Sequence, residues 1–215
     1  IDTLNNIVRR GADTLTSLPN ASITTLIIQG LDVYALDGAN ELVYRVQIGN
    51  DGRSAISAAQ PIVNMRRGAS VGGFQVGDVI DIAFDDQRNT IVMVDRNGLL
   101  VRCPPRFIMQ CEAEQLLAAE NWTDPTKITF WQGRLYLLDP AGGQLWRYEP
   151  SGSNFISAPT EYFTGQMRPN LGAAVDFDIS STGTIFILYS DGVMTSYFGG
   201  EAQSFAFSGF PQGQE

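Results

Sequence analysis

The chain has 215 residues, with 14 Lys and Arg against 23 Asp and Glu for a net charge of −9, and it contains no histidine. A content of 44% hydrophobic and only 17% charged residues excludes a disordered chain, and the acidic balance argues against nucleic acid and anionic membrane surfaces as partners. Without histidine a Ser-His-Asp triad, a Cys-His dyad and an HExxH zinc site are impossible, and two cysteines alone cannot complete a zinc or haem ligand set, so no metal and no cofactor are expected.

Residues 1–15 place Ile1, Leu4, Val8, Ala12 and Leu15 at three- and four-residue intervals, which predicts a short amphipathic helix despite Gly11, with a linker running on to residue 22. The opening IDTLNNIVRR lacks a basic end followed by an apolar run, so no signal peptide is expected there and the chain reads as a mature or excised piece. Its longest apolar stretch, residues 26–31, is interrupted by Gln29 and Gly30. That falls far short of the roughly 20 residues a bilayer span needs, so no direct membrane insertion is expected.

From residue 23 onward one pattern recurs. An alternating apolar run is followed by a short turn, a second run ending in Asp with Gly close behind, and a third run with an aromatic or basic residue. The copies are TTLIIQGLDVYALDGANELVYRV, VIDIAFDDQRNTIVMVDRNGLLVRC, TKITFWQGRLYLLDPAGGQLWRY and AVDFDISSTGTIFILYSDGVMTSYF. Their aspartates, Asp37, Asp95, Asp139 and Asp191, are separated by 58, 44 and 52 residues. Period-two alternation rich in Val, Ile, Leu, Tyr and Phe predicts strands. Asp-Gly and its looser variants predict hairpins with a positive φ. A fourth run follows each copy, at residues 56–63, 107–113, 155–163 and 203–210. Four antiparallel strands repeated at this spacing predict an all-β, propeller-like domain over residues 23–215, with blades at 23–63, 79–118, 125–163 and 173–210. A generic β-sandwich is the alternative.

Besides residues 1–15, one further stretch stands apart from the repeat. MRRGASVGGFQVGD, residues 65–78, lengthens the first connection; its glycines lack the Gly-Lys-Ser/Thr ending of a phosphate loop, so it reads as a surface loop of the kind partners bind. EAEQLLAA, residues 112–119, consists of good helix formers and predicts a helical turn.

Aligning the innermost strands puts Thr25, Asp81, Lys127 and Asp176 at equivalent positions, with Asp85, Asp86 and Asp178 nearby. Inner strands line a propeller's channel, so Asp81, Lys127, Asp176 and Asp178 form the candidate binding set at its mouth. Asp81 and Asp176 could bridge a hard cation; equally, Lys127 could neutralise both, or water could solvate them. The four turn aspartates recur too regularly for a catalytic group and read as acceptors for turn amides. Arg45, Arg102 and Arg147 recur on third strands and read as inter-strand or inter-blade partners. Most of Trp122, Trp131, Trp146, Tyr136, Tyr148, Tyr162 and Phe163 are expected in the core, with an exposed remainder near Trp122 or Tyr162 marking a protein or glycan contact. Cys103 and Cys111 flank a turn and are either a cross-strand disulfide or two buried thiols. Asn20 and Asn121 begin glycosylation sequons, which matter only in a eukaryotic secretory host.

The segment PTKITFWQGRLYLLDPAGGQLWRYEP resembles the repeat of NHL and related bacterial propellers. The order RGASVGGFQVGDVIDIAF, VDRNGLLVR, LYLLDPAGGQLWRY, ISAPTEYF is similar to an extracytoplasmic propeller-like region of bacterial membrane proteins that carry a type 2C protein phosphatase domain. That resemblance implies a periplasmic or cell-surface location and more blades than four. The expected role is a non-catalytic protein-interaction or ligand-sensing module, partnered by another protein or by further blades. The alternatives are a metal-dependent propeller enzyme of lactonase or lyase type, using Asp81, Asp176 and Asp178, and a structural subunit of a complex.

Overall fold

The computed structural model describes residues 14–52, 54–105, 109–165 and 168–204. The helix expected over residues 1–15 falls outside them, except for residues 14 and 15, which have no regular structure. The described chain is all-β and builds four four-stranded antiparallel sheets in the manner of propeller blades. Blade 1 consists of β1 (Ile23–Gln29), β2 (Asp32–Asp37), β3 (Leu42–Gln47) and β4 (Gln60–Arg66). A small hairpin, β5 (Ser70–Val71) and β6 (Phe74–Gln75), leads to blade 2: β7 (Val79–Asp85), β8 (Thr90–Asp95), β9 (Leu99–Cys103) and β10 (Glu112–Gln115). Blade 3 is β11 (Lys127–Trp131), β12 (Arg134–Asp139), β13 (Gln144–Tyr148) and β14 (Thr160–Glu161). Blade 4 is β15 (Ala174–Ile179), β16 (Ile185–Tyr189), β17 (Met194–Phe198) and β18 (Glu201–Gln203). In every sheet the strands lie in sequence order, as short hairpin connections require.

The chain divides into two compact units, residues 1–62 and 63–215. In the first, Tyr34, Leu36, Val43 and Ile62 are fully buried. Arg45, opposite Tyr34 on β3, pairs with Asp32 at 2.8 Å. In the second, β11 lies beside both β7 and β15, so three inner strands run side by side. The core lies in the seams between blades. Blade 2 contributes Val92, Val94 and Leu100 to one cluster, which Leu135, Leu137 and Tyr148 of blade 3 complete. Tyr136, Leu138 and Leu145 of blade 3 meet Phe177, Ile185 and Ile187 of blade 4 in the next. Each such side chain contributes about 1.5–3 kcal/mol by leaving water.

Four expectations are corrected. The EAEQLLAA segment is not a helical turn: Glu112–Gln115 forms β10, and the helical piece is a short 3-10 turn, Ala119–Asn121, beyond it. Pairing with β9 satisfies a whole row of backbone groups and overrides helix propensity, which is worth only tenths of a kcal/mol per residue. The fourth strands are shifted or shorter than their apolar runs suggest, most of all β14, which is confined to Thr160–Glu161 behind Pro159. Residues 205–210 of the last predicted run lie outside the described residues. The first hairpin is looser than a tight Asp-Gly turn: its left-handed residue is Glu41 (φ 49°), not Gly38, whereas Gly192 of the Asp191-Gly192 pair has a φ of 85° as expected. Gly98 does have a φ of 83°, and a Cβ there would overlap Ala119 at 2.4 Å, so that position needs glycine. Finally, register places Tyr189, not Asp191, where the other blades carry Asp37 and Asp95. Ile23 pairs with Asp37, Val79 with Asp95 and Ala174 with Tyr189, each just before a bulge.

Candidate functional site

Beyond those bulges the inner strands come into common register. Thr25 faces Leu36, Asp81 faces Val94, Lys127 faces Leu138 and Asp176 faces Leu188. The four residues aligned by sequence therefore occupy one level of their sheets, and in the second unit Asp81 and Lys127 meet. Asp81 is only 2% exposed. Its carboxylate lies 3.6 Å from Lys127 Nζ and accepts the Ile128 amide at 3.1 Å, so one buried acid ties β7 to β11 through a charge and a backbone donor. Asp176 and Asp178 are exposed on β15, and each accepts the amide of the residue after it, at 2.9 and 2.8 Å. Among the described residues no three Cys, Asp or Glu side chains converge as a metal-binding set.

The turn aspartates act on backbone. Asp37 accepts the amides of Ser22, Ala39 and Asn40 and the Asn40 side chain. Asp95 accepts those of Gly77, Asn97 and Leu99, and Asp139 those of Thr123, Asp124 and Gly142. Each fully buried carboxylate thus closes its own hairpin and also holds the segment entering its blade. Burial opposes ionisation of Asp37, but the hydrogen bonds from Asn40, Ser22 and Ala39 outweigh it and hold its pKa below the ordinary carboxylate value. Asp191, exposed, accepts the Val193 amide.

Arg45 and Arg102 pair between strands or blades as expected, whereas Arg147 pairs with an acid two residues further along its own segment. Arg102 binds Glu114 on β10 and reaches across to the Ser153 carbonyl of blade 3, and Glu114 accepts the Phe155 amide at 2.9 Å. Arg147 pairs with Glu149 at 3.0 Å. A further clamp escaped the sequence reading. Arg88, held by Asp85 in the β7–β8 turn, donates to the carbonyls of Gly133 and Gly152 and lies 5.4 Å from the Phe155 ring centre. Its only sequence signal is an acid three residues before an arginine in a turn, a pattern shared by many solvated pairs.

The glycine-rich stretch forms the β5–β6 hairpin beside a cavity of about 380 Å³ lined by Arg67, Asp78, Arg96 and Asn97. Its basic groups are engaged, Arg67 by Asp78 at 3.1 Å and Arg96 by Asp124. The Gly77 amide goes to Asp95 and the Gly68 amide to Val76, so neither is available to a phosphate. Trp122 is buried edge-on to Tyr148, and half-buried Tyr162 stacks edge-on to Phe163, so neither heads an exposed aromatic cluster. Leu26 and Ile28 on β1, which the sequence did not single out, are among the most exposed apolar side chains, together with Ile56, Met109 and Ile156. A disulfide joins Cys103 and Cys111, one at the end of β9 and the other just before β10.

No protein-family model and no curated protein matches the chain. Solved structures do. YCF48 bound to a D1 peptide is 15% identical with a TM-score of 0.57, the match covering 90% of this chain and 57% of that one. Streptogramin B lyase is 13% identical with a TM-score of 0.52, covering 84% and 55%. The WD40 propeller domain of Doa1 is 6% identical with a TM-score of 0.51, covering 88% and 55%. The chain spans about half the length of each. One of these structures is a lyase and another holds a peptide, so what they share with this chain is its architecture: the chain has a β-propeller fold.

Proposed function

We propose that the chain is a non-catalytic interaction or ligand-sensing module of propeller type, working within a larger membrane-associated bacterial assembly. The observation that carries this reading is the state of Asp81. It is the buried acid of the inner-strand level, and it is engaged by Lys127 and by the Ile128 amide, an arrangement that joins two blades and leaves no poised base. The enzyme alternative needs Asp81, Asp176 and Asp178 to share a cation, and these three do not form a donor cluster. An extracytoplasmic site is supported by the Cys103–Cys111 disulfide, a bond that persists in oxidising compartments, together with the sequence resemblance to phosphatase-linked propeller regions. Among the described residues no helix is long and apolar enough to cross a membrane. Elemental analysis after exhaustive dialysis tests the reading: no stoichiometric divalent cation is expected. A cation at one per chain, lost in Asp81→Asn or Asp176→Asn, would overturn it in favour of the metal-dependent enzyme.

A further inference from the structure

The two halves of the Cys103–Cys111 disulfide stand in different surroundings. Cys103, at the end of β9, is fully buried, whereas Cys111, just before β10, is partly exposed. Cys111 also lines a cavity of about 370 Å³ in blade 2, shared with Gly72 of the β5–β6 turn, Arg102, Glu112, Glu114 and Asn154. The ladder of β9 and β10 pairs Glu112 with Arg102, so the disulfide closes it one step further out. Thiol–disulfide exchange begins with attack on one of the two sulfurs, and access decides which. A thiol arriving through the cavity meets Cys111.

The strand that this bond anchors also supplies the polar half of a seam. Glu114 of β10 binds Arg102 with one oxygen and accepts the Phe155 amide of blade 3 with the other, at 2.9 Å. Arg102 donates in turn to the Ser153 carbonyl. Phe155 is itself buried in the cluster between blades 2 and 3. With four residues, β10 is short, and the covalent bond beside Glu112 fixes the end from which it would fray.

We infer that Cys111 is a site of thiol modification, at which a small uncharged or cationic thiol opens the disulfide and loosens the contact of β10 with blade 3. The incoming thiolate attacks Cys111 Sγ and forms a new S–S bond to it. The Cys103–Cys111 bond breaks, and its electron pair leaves on Cys103 as a thiolate. A second thiol then attacks the thiol-derived sulfur of the mixed disulfide and releases the Cys111 thiolate. Two thiols are oxidised to their own disulfide, and Cys103 and Cys111 are reduced. Glu112 and Glu114 outnumber Arg102 around the cavity, and the chain as a whole carries a charge of −9, so an anionic thiol is repelled.

Cysteamine, a cationic thiol, and glutathione, an anionic one, are the probes. After brief reaction with the folded chain, an acid quench, denaturation and capping with N-ethylmaleimide, peptide mass spectrometry should find cysteamine on Cys111 and maleimide on Cys103. Adducts shared equally between the cysteines, or none before the chain unfolds, would overturn the site. Cysteamine should react faster than glutathione at equal thiolate concentration, with a margin that shrinks as salt is added; equal rates at low salt would overturn the choice of thiol. Two single variants isolate access, because both lack the disulfide. Toward dithiodipyridine, Cys103→Ser, which keeps Cys111, should react at least about tenfold faster than Cys111→Ser, which keeps the buried Cys103. If either variant fails to fold, the adduct map of the unaltered chain decides. Reduction should also speed amide exchange at Phe155 together with Glu112–Gln115, and a Phe155 amide as protected as before would overturn the link to blade 3.

Discussion

Three buried aspartates, Asp37, Asp95 and Asp139, each satisfy amides on two separate segments. Asp139→Ala would leave the amides of Thr123, Asp124 and Gly142 without their acceptor in a buried turn. The expected loss in urea unfolding is about 3 kcal/mol. Asp191→Ala, at an exposed turn with a bond to Val193, should change stability by less than about 0.5 kcal/mol; equal losses at the two sites would refute the distinction. Asp37 adds a pH signature. Its folded pKa lies below the ordinary 3.8, so its stabilisation is complete above that value and disappears as pH falls through the lowered one. The penalty of Asp37→Asn, measured by denaturant titration, should therefore shrink at low pH. The turn role was legible from the recurrence of Asp before Gly. The replacement by Tyr189 was not, because Asp191-Gly192 keeps the Asp-Gly pattern two residues further on and only pairing reveals the offset. At the candidate site the common level of Asp81 and Lys127 was legible for the same reason of recurrence, whereas their ion pair depends on how neighbouring blades approach.

Among the strands, the inner three of each blade were readable and the outermost was not. Strands β2, β8 and β12 are nearly all buried, so their residues are apolar and alternate or run continuously. Outer strands such as β10 and β18 are exposed on much of their length, and backbone pairing places them with little help from composition. Strand β10 has the EAEQ sequence of a helix, and it is held by the ladder to β9, by Glu114 on Arg102 and by the Cys103–Cys111 bond. Cross-linking residues eight apart should contribute about 2–3 kcal/mol by the chain-entropy relation. Replacing both cysteines with serine is expected to lower stability by that amount and to speed amide exchange in Glu112–Gln115 while leaving Lys127–Trp131 protected. Uniformly faster exchange across both strands would show that the bond supports the whole unit and not this strand.

Across the whole chain, the aromatic seams make the fold sensitive to alkali in a way that distinguishes its two units. Burial and then the charge of Asp32 push the Tyr34 phenol up to about 12 against the opposing Arg45. Burial likewise raises Tyr148, whose hydroxyl donates to the Leu117 carbonyl, and Tyr136 at the next seam. A phenol raised in the folded state and ordinary in the unfolded one leaves stability intact below pH 10, the ordinary value. Above it the unfolded chain ionises first, and stability falls as pH climbs toward the folded pKa. Of the seven tyrosines, Tyr34 reports on residues 1–62 and Tyr136 and Tyr148 on residues 63–215. Phenolate absorbance during an alkaline titration should therefore show a late group, above pH 10, whose ionisation coincides with loss of near-ultraviolet dichroism. Tyr34→Phe should remove one member of the late group and leave the rest in place if the units unfold independently, and should shift the whole late transition if they unfold as one. Absence of any late group, with the dichroism retained, would show that the phenols of Tyr34, Tyr136 and Tyr148 are not buried.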